Sequence, residues 1–271
     1  KEFVLPIVAN YSDAFLYISP NLKNDKEIVL IAIKNNYRML GYTSRDLLKD
    51  KEFILAAIAQ NWNALEYASD ELRNNKELVT AAAKQNISAL RYASSVLLYD
   101  KEFMLAAVAQ DANALEYASS YLKNNKDIVL AAVKKDGFAL EYASPALRNN
   151  REIVQVAVQT SGWNSSALQY ASPTMQNSRE IVLSAVKVNG HSLFYASPRL
   201  KNDKEIVLAA VQDDWESLRT ASPAMQNDKE VVLAAIKKDY KALSYASAKL
   251  QDDKEFVLPI VANYSDAFLY I

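Results

Sequence analysis

The sequence predicts an all-α solenoid of about eleven short αα repeats, stacked as a right-handed superhelix or arc. Three observations carry this. A basic–acidic pair followed by apolar residues returns at a constant interval, as at Lys26-Glu27, Lys51-Glu52, Lys76-Glu77 and Lys101-Glu102. Within each period the apolar residues recur at helical spacing. Sustained period-two alternation is absent, which disfavours a β-solenoid. A fixed period of this length marks a stacked array.

The units start at Lys1, Lys26, Lys51, Lys76, Lys101, Lys126, Arg151, Arg179, Lys204, Lys229 and Lys254. The unit from Arg151 is longer than the others, with its insertion near 161–166. The whole of 1–271 reads as one continuous array, and as part of a longer protein.

The unit Lys126–Asn150 shows the logic. Asn124 and Asn125 are good N-caps, and Asp127 complements the helix dipole. Ile128, Val129, Leu130, Ala132 and Val133 form an apolar face on a helix of about ten residues. Asp136-Gly137 is expected to end it in a left-handed or turn conformation. Leu140, Ala143 and Leu147 then form a second stripe, on a helix of about seven residues. Ser144-Pro145 starts a last short helical turn, with Ser as cap and Pro at the first helical position. Helices this short are unstable alone in water, so neighbouring units must stabilise them. A leucine-rich repeat has a similar period, but its L-x-x-L-x-L strand pattern and Asn ladder are not found.

Two columns barely vary. Tyr holds one position in ten of eleven units, and Thr220 is the exception. Two positions later Ser recurs in all ten complete units. Both suit packing: an amphipathic ring buried between units with its hydroxyl hydrogen-bonded, and a hydroxyl that caps the next turn. The alternative is a ladder of groups presented to a ligand. A third, variable column lies between the two helices. It carries Tyr37, Trp62, Phe138, Trp163, His191, Trp215 and Tyr240, including every Trp of the chain. These form a candidate binding edge, because exposed aromatics are enriched at interface hot spots. The alternative is that they anchor the second helix.

Composition excludes several activities. Lys plus Arg total 31 against 32 Asp plus Glu, interleaved in every unit, so no cationic stripe for nucleic acid is expected. There is no Cys, one His and four Gly. That argues against disulfides, a His- or Cys-based metal centre, a catalytic triad and a glycine-rich phosphate loop. No catalytic residue, metal or cofactor is expected, and the chain reads as a non-enzyme. Apolar runs of about six residues fall far below the roughly 20 needed to cross a bilayer, so no membrane insertion is expected. No signal-peptide pattern is visible. Absence of Cys leans towards a cytoplasmic location and leaves an extracellular or cell-surface assembly open.

Lys1–Ile18 and Lys254–Ile271 are identical in sequence, KEFVLPIVANYSDAFLYI. A repeated ten-unit block, an engineered duplicate cap and a periodic array cut with an overlap would each produce this. The first and third agree in a long, nearly periodic array. This unit is also unusual. Pro6 and Pro259 are expected to kink or shorten its first helix. Phe15, Leu16 and Ile18, with Phe268, Leu269 and Ile271, replace the usual Leu, polar residue and Ala. These six are candidate assembly contacts, since a terminal cap should be polar outside.

The unit pattern K-E-x-V-L-x-A-V-K-x-x-x-x-A-L-x-Y-A-S-x-x-L-x-N-D resembles the domain-of-unknown-function 4116 repeat family. Lys204-Glu205-Ile206-Val207-Leu208-Ala209-Ala210-Val211 with Ala221-Ser222, and Ala139-Leu140-Glu141-Tyr142-Ala143-Ser144, carry the resemblance. It implies tandem arrays in large proteins of bacteria and protists, and no activity or site residue. The expected function is structural: a segment of a long array that builds a filament, tube or scaffold with itself. The alternative is a scaffold that binds a peptide or folded protein along its surface.

Overall fold

The computed structural model describes residues 1–162 and 166–270. It is 77% helical, and the described residues contain no strand. The all-α repeat solenoid expected from the periodicity is therefore the fold. The chain packs as two compact units, Lys1–Lys123 and Asn124–Ile271.

In both, each repeat has three pieces. Lys126–Lys135 is an α-helix of ten residues, Gly137–Tyr142 a 3-10 helix of six, and Pro145–Arg148 a last α-turn of four. The second piece is thus not the α-helix of about seven residues that the stripe suggested. Six residues is long for 3-10 geometry, whose hydrogen bonds are poorer than those of an α-helix. The run is held by its cap and by burial of Ala139 and Leu140.

The first helix also ends differently from expectation. Asp136 is extended, with φ −151° and ψ 117°, and its carboxylate accepts from the Phe138 N–H. It closes one helix and caps the next. No residue of the described backbone has positive φ. The same device recurs with Asn36, Asn61, Asn86 and Asp111 in the first unit, and with Asn189, Asp214 and Asp239 in the second.

Gly137 and Gly190 are there for space. A Cβ on Gly137 would lie 2.0 Å from the Ala157 carbonyl oxygen, and one on Gly190 would lie 2.4 Å from that of Ala210. The glycines let the start of the 3-10 helix press against the next repeat's long helix. The ring then moves one position along the chain, to Phe138 and His191.

The core is one column per piece. Ile28, Val29, Ala32 and Ile33 are buried in one unit, and Ile128, Val129, Ala132 and Val133 in the other. Leu130, also on the expected apolar face, is only half-buried. The leucines of the 3-10 helices, such as Leu65 and Leu218, are fully buried. Pro259 does not shorten its helix, which runs from Lys254 to Asn263. The identical sequence near the start forms the shorter helix Val4–Asn10.

Candidate functional site

The serine column joins repeats as well as capping turns. Ser144 Oγ accepts from the Leu147 N–H at 3.3 Å and donates to Asn124 Oδ1 at 2.6 Å. Ser222 repeats this with Met225 and Asn202, and its N–H donates to the Lys201 carbonyl at 2.9 Å. A single side chain thus satisfies one orphan helix donor and links two repeats.

The cation that opens each repeat makes a second link. Lys51 pairs with Glu77 at 2.5 Å, and Lys126 with Glu152 at 2.6 Å. Lys76 pairs instead with Asp100 at 2.6 Å, Lys229 with Asp253 at 2.7 Å, and Lys26 with Asp50. The residue capping the next helix decides. Where it is Asp, the cation reaches that carboxylate, and where it is Asn75 or Asn150 it reaches the first-turn Glu. Lys204 contacts both Asp228 and Glu230. The bonds to Lys26, Lys76 and Lys229 hold the Asp50, Asp100 and Asp253 carboxyls below their usual range.

The aromatic edge is built from two columns that meet across repeats. Trp62 lies 6.2 Å from Tyr92, and Tyr37 6.2 Å from Tyr67. Phe138 meets Tyr170 edge-on at 5.8 Å, Trp215 stacks on Tyr245 at 5.7 Å, and Tyr240 lies 5.8 Å from Tyr270. Each of these rings at the start of a 3-10 helix therefore leans on the tyrosine of the following repeat. All of them are half-buried. The tyrosines are not the fully buried rings that a packing column implied. One flank of each meets the neighbour and the other reaches the surface.

Glu66 and Glu141, each just before a tyrosine, face the same edge. Glu66 Oε2 accepts from the Tyr92 hydroxyl at 3.2 Å. Burial, then the Glu66 charge, pushes the Tyr92 phenol up. Burial and Glu141 act in the same way on Tyr170. With Arg91 bonded to the Tyr117 hydroxyl, the edge is a mixed row of phenols, carboxylates and guanidinium groups. Its aromatic pairing was missed from sequence, although the equal offsets from Tyr37 to Tyr67 and from Trp62 to Tyr92 carry it.

His191 breaks the rule. It is exposed, stacks on Phe194 of its own repeat at 5.9 Å and meets Tyr195 edge-on at 6.1 Å. Trp163 lies outside the described residues. The described residues contain no cluster of three His, Cys, Asp or Glu able to hold a metal.

The apolar terminal candidates separate. Phe15 fills the buried leucine column and is fully buried, so it is corrected from an assembly contact to a core residue. Leu16 and Ile18 are half-buried, and Leu269 is 77% exposed. Ile271 and the Phe268 side chain lie outside the described residues.

Fold and edge together define an all-α tandem-repeat protein whose surface is made between repeats. The family model described as Domain of unknown function (DUF4116) matches residues 1–49, 50–98, 100–148, 128–176, 150–201, 178–226 and 228–271. The chain belongs to that family. Each match spans about 49 residues, close to two successive repeats such as those opened by Lys51 and Lys76. No curated protein and no solved structure matches the chain. No described helix is long and apolar enough to cross a membrane.

Proposed function

We propose that the chain is a segment of a long structural array that self-assembles into a filament, tube or scaffold. One observation carries this reading. The stretch that opens the chain, 1–18, recurs at 254–271, and its residues 254–270 sit on the repeat 229–253 through the ordinary stacking contacts. Lys229 pairs with Asp253 and lies 5.7 Å over the Phe256 ring, and Tyr240 meets both Tyr264 and Tyr270. Phe256 is 7% exposed and fills the buried position that Phe53 and Phe103 hold in their repeats. The end of the ten-repeat block therefore offers a seat for the sequence that begins it. Blocks joined this way need no new kind of interface. Leu16, Ile18 and Leu269 then supply apolar contacts beyond those of an ordinary repeat.

The proposal assigns the chain no catalytic role, no cofactor, and neither nucleic acid nor membrane as partner. Measurable turnover by the purified chain would contradict it. Negative-stain electron microscopy of purified native-source material tests the reading. Filaments, tubes or closed rings are expected, and isolated monomers at high concentration would contradict it. Such monomers would favour the second reading, a scaffold that recognises a protein along the aromatic edge. The surface flanks of the Trp62, Trp215 and Tyr240 rings support that reading.

A further inference from the structure

Thr220 stands where every other repeat has tyrosine. At Tyr92 and Tyr245 that ring covers an aromatic group of the preceding repeat. Before Thr220, the preceding repeat offers Phe194 and His191, stacked with their planes 6° apart and each met edge-on by Tyr195 of the same repeat, and the following repeat adds no ring. The missing ring leaves an open cavity of about 430 Å³, lined by His191, Phe194, Lys201, Arg219 and Thr220. Small-molecule sites range from about 300 to 1,000 Å³.

The walls have a definite chemistry. Lys201 Nζ lies 5.4 Å over the Phe194 ring. Partial burial holds the Lys201 amine below its ordinary range. Neither Lys201 nor Arg219 forms an ion pair among the described residues. Glu216 also lines the cavity, so two cations stand against one carboxylate. A partly desolvated cation with no ion-pair partner, in a wall of net positive charge, favours an anionic ligand. Rings that stay exposed, as Phe194 and His191 do, favour a flat aromatic one.

We propose that this cavity binds a small planar aromatic anion, a ring bearing a carboxylate or phosphate. The ring takes the place of the missing tyrosine against Phe194 and His191. The anionic group meets Lys201 and Arg219. This site is independent of how the array assembles.

Calorimetric titration of the full chain with phenyl phosphate tests the assignment, with inorganic phosphate and phenol as half-ligands. Saturable binding is expected, about tenfold or more tighter than either half-ligand. Thr220→Tyr refills the column with its usual residue. It should weaken phenyl phosphate binding about tenfold or more while leaving the melting temperature unchanged or higher. Lys201→Ala should weaken it about fivefold, and it decides the matter if Thr220→Tyr does not fold. Equal affinity for inorganic phosphate, absence of saturation, or undiminished binding by a folded variant would each overturn the assignment.

Discussion

The Trp215 indole stacks on the Tyr245 ring of the following repeat, with centroids 5.7 Å apart and planes 19° apart. The two residues belong to columns that look unrelated along the chain, one variable and one nearly constant. In space they are a single joint between repeats. Such pairs add about 0.5–1.5 kcal/mol beyond their burial. Trp215→Ala should therefore lower stability by more than the loss of a half-buried side chain. A double-mutant cycle with Tyr245→Ala, followed by urea unfolding, should return a coupling of about 0.5–1.5 kcal/mol. Additive effects would mean that the rings merely lie near each other.

The cation ladder makes stability depend on acid. Asp50 is held below its ordinary value of 3.8, chiefly by its bond to Lys26. A carboxyl lowered in the folded state stabilises fully above its unfolded value, and that contribution is lost as pH falls through the folded value. Melting temperature should thus drop below about pH 4. Asp50→Asn should keep the cap to the Phe53 N–H, as Asn75 and Asn150 do in their repeats. It should be slightly less stable than the parent at pH 7 and indistinguishable from it near pH 2. A gap that persists in acid would locate the effect in the cap instead.

Glycine replacements should split by what the new Cβ meets. Gly137→Ala drives a methyl group into the Ala157 carbonyl and within 2.9 Å of the Ser161 nitrogen, both backbone atoms. A cost of about 1–3 kcal/mol is expected in urea unfolding. Gly41→Ala meets only the edge of the Tyr67 ring, at 3.1 Å, and a ring can tilt. Its change should stay within about 0.5 kcal/mol. Equal costs would refute the close approach inferred at Gly137.

Assembly should respond to the exposed terminal leucine. Leu269→Glu, combined with Leu16→Glu, should shift sedimentation profiles towards monomer. The melting temperature should change little, because Leu269 is largely exposed and Leu16 half-buried. Unchanged assembly would remove these residues from the interface.

Much of this architecture is legible in the constant period. Caps such as Ser144, the Pro145 start and the Ile128–Val129 core stripe follow from residue type and spacing. The 3-10 geometry of Gly137–Tyr142 does not, because an α-helix and a 3-10 helix share one short apolar stripe. Nor does the extended Asp136, since its role as cap of the next piece depends on where that piece begins. Phe15 misleads because an aromatic in a leucine column looks like surplus apolar surface, yet it fills the same buried slot. The Thr220 cavity is marked in the sequence by a missing tyrosine, but its cationic wall includes Lys201 from the preceding repeat.

The most direct test of the array is a tandem chain in which residue 253 is followed by a second copy starting at Lys1. Hydrogen exchange across the second copy's residues 3–17 is the measurement. If blocks continue into one another, this segment is packed on both sides and should exchange more slowly than residues 3–17 or 256–270 do in the single block, and the tandem should melt in one transition. If it exchanges no more slowly than those two segments, and the halves melt independently, the periodic array is contradicted.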